Sequence, residues 1–144
     1  MEKVGLLNIY SGWVFIFTGI ASGVVLSWWS FGGPMKPPKG YEDYTALPRR
    51  LTRLAHIAAF MLPVVDILYG QYVDDLPLSM LLKKTGSICM IICMVGLPIT
   101  LFMGSFKISL KNLCALPVTC GVIALFLMSW GNGVMLLRYF GSQF

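Results

Sequence analysis

A chain of 144 residues that is 57% hydrophobic and only 12% charged holds more apolar side chains than a water-soluble domain of its size can enclose. Soluble domains carry about 25% charged residues, and a mean hydropathy of +0.77 sets this chain far to the apolar side. The net charge of +5 does not indicate nucleic acid, because the basic residues sit in short segments between apolar runs and form no continuous face.

The first charge-free stretch lies between Lys3 and Lys36 and exceeds the roughly 20 residues a membrane span requires. It predicts a helix over 6–29, with Trp28 and Trp29 at one end and Tyr10 and Trp13 near the other, as interfacial aromatic belts require. A cleaved signal peptide would have an apolar region of about 7–15 residues, so this longer run is expected to be retained. A polar connection over 32–50 follows, in which Pro34, Pro37, Pro38 and Pro48 forbid a continuous helix. It is long for a helical hairpin, which needs about 2–8 residues. Tyr41, Tyr44, Arg49 and Arg50 suit an ordered surface that meets a partner or lipid headgroups.

The second span, over 51–72, is the most polar and carries Arg53, His56, Pro63 and Asp66. Asp74, Asp75 and Pro77 mark a turn. The third span covers 81–104, with Lys83 and Lys84 at its start and Pro98 inside. Lys107, Lys111 and Asn112 form the next turn, and a fourth span over 114–140 is expected to be interrupted by Gly131-Asn132-Gly133. No ten-residue alternation of a membrane β-barrel competes with this pattern. The expected fold class is an all-α integral membrane protein, a single membrane domain of four transmembrane helices in an up-down bundle.

Basic residues favour the cytoplasmic side of a membrane. The first and third connections together with the start of the second span hold seven, Lys36, Lys39, Arg49, Arg50, Arg53, Lys107 and Lys111, against four on the other side, Lys3, Lys83, Lys84 and Arg138. Both termini are therefore expected outside the cytoplasm, with a bacterial cytoplasmic membrane as the expected location. Small residues recur on two helices: Gly19, Gly23 and Ser27 on the first, and Gly86, Cys89, Cys93 and Gly96 on the third. Such stripes let helix backbones approach closely in lipid, either within this bundle or against another subunit. The cysteines show no C-x-x-C pair and no Cys/His zinc spacing, so no metal site is expected.

His56 is the only histidine, flanked by Ala55, Ala58 and Ala59, about one turn into the predicted second helix. Imidazole is a common axial ligand of haem, and small neighbours admit a flat group, so His56 with Arg53 is the candidate site for haem b or a quinone. A second haem ligand has to be a methionine or come from another subunit. The simpler role is a histidine bonded to a backbone carbonyl or a headgroup. Asp66 is the acidic residue set deep in a span, where a charge costs about 2.5–3.5 kcal/mol on insertion scales. Tyr69 shares its face and is an expected donor to it. Asn132 is expected either to distort the fourth helix or to bridge to Asp66 or Tyr69. A proton relay through these groups competes with a plain interhelical contact.

The sequence has no paired nucleophile and base, no phosphate-binding glycine loop and no metal-protease motif. The leading expectation is a small non-catalytic accessory subunit of a larger membrane complex, one that transduces energy or transfers electrons. Its partners are other membrane subunits and lipids, with self-association a further option. The alternatives are a haem- or quinone-binding anchor using His56, and an oligomeric channel or transporter using Asp66.

Overall fold

The computed structural model describes residues 3–30 and 33–142, so residue 32 of the first connection lies outside the described residues. It contains four long helices: α1 (Gly5–Ser30), α2 (Leu47–Tyr72), α3 (Met80–Phe106) and α4 (Ala115–Gly141). Short 3-10 turns over Val73–Asp75 and Ile108–Cys114 join α2 to α3 and α3 to α4. No strand occurs among the described residues. Each helix is long and apolar enough to cross a bilayer: 26 residues at 1.5 Å per residue reach about 39 Å, against a hydrocarbon core of about 30 Å. The chain is an all-α integral membrane protein of four transmembrane helices.

The second helix starts at Leu47, four residues before the expected boundary at 51. Pro48 permits this, because in the first turn a missing backbone N–H removes a donor that has no intrahelical acceptor anyway. The two interior prolines do not end their helices: α2 runs through Pro63 and α3 through Pro98. Nor do Gly131 and Gly133 interrupt α4, which is continuous to Gly141.

The helices form an open row. α1 packs on α2, α2 on α3 and α3 on α4, while α1 meets α3 only lightly. The α1–α2 seam is built on Gly5, Gly12 and Gly19, seven residues apart, a spacing that keeps one helix face on its neighbour over several turns. A Cβ at Gly12 would lie 2.7 Å from the Pro63 carbonyl oxygen, and one at Gly19 would lie 2.8 Å from that of Ala59. Pro63 has no N–H to give the Ala59 carbonyl, so the close approach of Gly19 covers a carbonyl that lacks its helical donor. The α3–α4 contact uses small residues in the same way, with Gly96 against Pro117 and Gly121 beneath the buried Cys93. Tyr69, Val73, Met90 and Ala124 form the core where α2, α3 and α4 converge.

Both ends of the row are tied by polar contacts. At one end the Asp74 carboxylate accepts from the backbone N–H groups of Val4 (3.0 Å) and Gly5 (3.1 Å), capping α1 from across the fold. At the other, the Pro-rich connection docks onto the bundle. Tyr41 is buried and its hydroxyl lies 3.0 Å from Ser105 Oγ on α3. Arg49 Nη1 donates to the carbonyls of Tyr41 and Glu42. Gly40 takes φ +87°, a left-handed conformation suited to glycine, where the segment turns back toward α2.

Candidate functional site

The polar residues of the membrane interior gather at one three-helix contact. Asp66 on α2 is fully buried; its Oδ1 accepts from Asn8 Nδ2 of α1 at 2.6 Å, and Ser11 Oγ lies 3.0 Å from its Oδ2. Asn8 is equally buried and also engages α3, since its Nδ2 lies 3.2 Å from the Ser87 carbonyl and its Oδ1 accepts from Ser87 Oγ. Facing a carboxylate and a carbonyl on one side and a hydroxyl on the other fixes which way the Asn8 amide points. Asp66 lies six residues before the end of α2, so the contact sits about 9 Å inside that end and not at the bilayer centre.

This arrangement corrects the expected partners of Asp66. Tyr69 does not donate to it: the Tyr69 hydroxyl lies instead against Gly86 of α3, where a Cβ would collide with it. Asn132 makes no bridge across the bundle either. Its Nδ2 donates back to the Met128 carbonyl of its own helix at 2.9 Å, and the residue is exposed beside a cleft between α2 and α4. The residue missing from the sequence reading is Asn8. Its signal was the polar amide within an otherwise uncharged run, one turn after Gly5 and one before Gly12 on the seam face.

A second feature lies toward the other end. There α1 and α3 separate and leave a cleft of about 460 Å³ whose floor is α2. The floor carries Ala55, His56 and Ala59, with Trp29 and Ser22 on the α1 wall and Ile99 on the α3 wall. Because α2 starts at Leu47, His56 is nine residues in, about 13 Å along the axis. It therefore lies deeper than the single turn expected from sequence. Ser22 Oγ and His56 Nδ1 are 2.9 Å apart. Gly23 makes the imidazole fit, since a Cβ there would lie 2.9 Å from His56 Cε1. Ser22 Oγ donates its proton to the Gly19 carbonyl at 2.8 Å, so it accepts from His56 Nδ1–H and leaves Nε2 of the neutral ring as an acceptor. Trp29 Nε1, on the same cleft, is buried with no hydrogen-bond partner among the described residues.

Arg53, expected beside His56, points elsewhere: its guanidinium stacks over the Tyr44 ring at 3.8 Å from the centroid. Gly19 and Gly23 face α2, whereas Ser27 is exposed and bonds to the Val24 carbonyl of its own helix. Gly86, Cys93 and Gly96 contact Tyr69, Gly121 and Pro117 respectively. Cys89 packs beside the Tyr69–Met90 core, and all four cysteines are free thiols. No cluster able to hold a metal ion occurs among the described residues.

No family model matches the chain, and neither a curated protein nor a solved structure shows detectable similarity to it.

Proposed function

We propose that this chain is a small non-catalytic subunit of a larger membrane complex, one that transduces energy or transfers electrons, in a bacterial cytoplasmic membrane. The observation that carries the reading is the open row. Only 11% of the most apolar window of the α1 span and 17% of that of the α4 span is buried by the chain itself. Two flanking helices with broad uncovered apolar faces suit packing against neighbouring subunits as well as lipid. The deep polar residues add support, because Asp66, Asn8 and Ser87 satisfy one another in a helix–helix contact and border neither cleft. A channel using Asp66 would need that carboxylate on an open face.

The basic connections point to the cytoplasm in this reading, which sets both termini outside. Tyr44 stacked beneath Arg53, with Arg49 at 5.1 Å, belongs to the surface there that meets headgroups.

The test is a native gel in mild detergent, with mass spectrometry of every polypeptide in the band that holds this chain. A large band of defined composition is expected, and it should fall apart when the outward residues Trp13 and Phe17 of α1 are replaced by Ala. A band containing this chain alone would overturn the reading. Gly19 and Gly96 are unsuitable for this experiment, because they pack inside the chain.

A further inference from the structure

A short polar side chain on a membrane helix can satisfy itself on the carbonyl one turn back. Thr119 of α4 does so, donating to the Ala115 carbonyl at 2.8 Å. Two residues farther along the same helix keep hydrogen-bonding capacity on its outer side. Asn132 is exposed and gives one amide hydrogen to the Met128 carbonyl. Its Oδ1 and its second N–H have no partner among the described residues. Ser129 is also exposed and makes no hydrogen bond among the described residues. Three residues apart, the two share one face of α4.

Depth makes these groups costly to leave in lipid. Arg138, the only charged residue of α4, lies six residues beyond Asn132. The amide is therefore about 9 Å farther into the membrane than the base of Arg138, and Ser129 about 13 Å. Hydrocarbon offers neither a donor nor an acceptor there, and polar side chains so placed hold helices together. The rest of the face is apolar and uncovered, with Val122, Leu125, Phe126 and Leu136 all exposed. Since α4 carries no charge before Arg138, nothing on this face calls for a charged partner.

The balance of donors and acceptors points to the partner. Asn132 has one N–H and one carbonyl oxygen to offer, and Ser129 a hydroxyl that both donates and accepts. Each is complementary to itself. Two copies inserted in the same direction and related by a twofold axis along the membrane normal bring identical residues to identical depths. We propose that α4 pairs with α4 of a second copy of this chain, through reciprocal Asn132–Asn132 hydrogen bonds with the Ser129 hydroxyls beside them. The outward face of α1 stays free for other subunits, so the pairing stands independently of whether the chain belongs to a larger complex.

The test uses the full chain, purified and reconstituted into liposomes of zwitterionic lipid. Copies labelled at the C-terminus with a donor or an acceptor fluorophore are mixed, and energy transfer is followed as added lipid dilutes the protein. Transfer is expected to fall along a two-copy association curve. Asn132→Leu should weaken association about tenfold, or about 1.4 kcal/mol, as the loss of two interhelical bonds would. Asn132 bonds only to its own helix, so this variant keeps the fold, which circular dichroism checks. Trp13→Ala, on the exposed face of α1, should leave the curve in place. A curve that Asn132→Leu does not move, or that Trp13→Ala abolishes, would put the contact on another face and overturn the proposal. A chain that stays monomeric at every dilution would overturn it too, and would leave this face of α4 to lipid or to a different subunit.

Discussion

Asn8 and Asp66 stand 58 residues apart in the chain and meet through a 2.6 Å hydrogen bond, both without solvent exposure. The bond ties α1 to α2, and Asn8 carries the tie on to Ser87 of α3. Asn8→Leu removes every polar contact that α1 makes to Ser87 and leaves the carboxylate with Ser11. We expect a loss of about 1–3 kcal/mol, the cost of a buried group left short of a partner. Asp66→Asn should cost less, because an amide still offers an oxygen to Asn8 Nδ2. Replacing both Asn8 and Asp66 by Leu should recover part of the single-variant loss. Reversible unfolding by detergent titration measures all three, and an unchanged midpoint for Asn8→Leu would show that the contact adds nothing to stability.

The glycines divide into those that set helix separation and those that do not. At Gly19 a Cβ would lie 2.8 Å from the Ala59 oxygen and 2.9 Å from Phe60 Cα, both backbone atoms that cannot rotate away. Gly19→Ala therefore has to push α1 off α2, at about 1–3 kcal/mol. Gly133 on α4 has open space around its Cα, so Gly133→Ala should stabilise by up to about 1 kcal/mol through helix propensity alone. The same unfolding titration checks the pair, and a shift in the same direction for both would refute the distinction.

The four spans and the all-α class were legible because an apolar run of this length has few alternatives in a chain so poor in charge. The inner parts of the site were less so. Periodicity gives the face of a residue on its own helix but not which neighbour that face meets. Tyr69 and Asp66 are three residues apart on α2, yet one meets Gly86 on α3 and the other Asn8 on α1. Asn132 neither distorts α4 nor bridges to Asp66 or Tyr69, because the carbonyl one turn back on its own helix accepts from its amide. The cleft around His56 was not legible at all. It exists because α1 and α3 separate above α2, a tertiary property that no local pattern encodes.

Asp74 makes a further prediction. Its two carboxylate oxygens accept from the N–H groups of Val4 and Gly5, and Lys83 Nζ donates to its backbone oxygen at 2.5 Å. A carboxylate at the start of a helix satisfies donors that the helix cannot and complements its dipole. Asp74→Ala should fray the first turn of α1 and cost about 0.5–2 kcal/mol. Amide exchange would show it as faster exchange at Gly5 through Leu7 with α4 unchanged. Uniform acceleration across all helices would mean instead that the cap holds the whole row.

The docked connection is expected to respond to pH through Asp43. Its carboxylate accepts from Thr45 N–H at 2.9 Å and from Thr45 Oγ1 at 2.7 Å. These bonds, the backbone one first, hold its pKa below the ordinary 3.8, with a smaller pull from Arg49. A lowered folded pKa means the turn is favoured wherever the carboxylate is charged in both states. That contribution is complete above 3.8 and is lost as pH falls through the lowered value. The Thr45 amide resonance should therefore be constant at neutral pH and titrate with a midpoint below 3.8. Thr45→Val, which removes the hydroxyl bond but keeps the N–H, should raise the midpoint partway, read at the amide of residue 45. Asp43→Asn should flatten the profile. A midpoint at or above the ordinary value in the unaltered chain would mean that the Thr45 bonds do not hold the charged form in the membrane-bound protein.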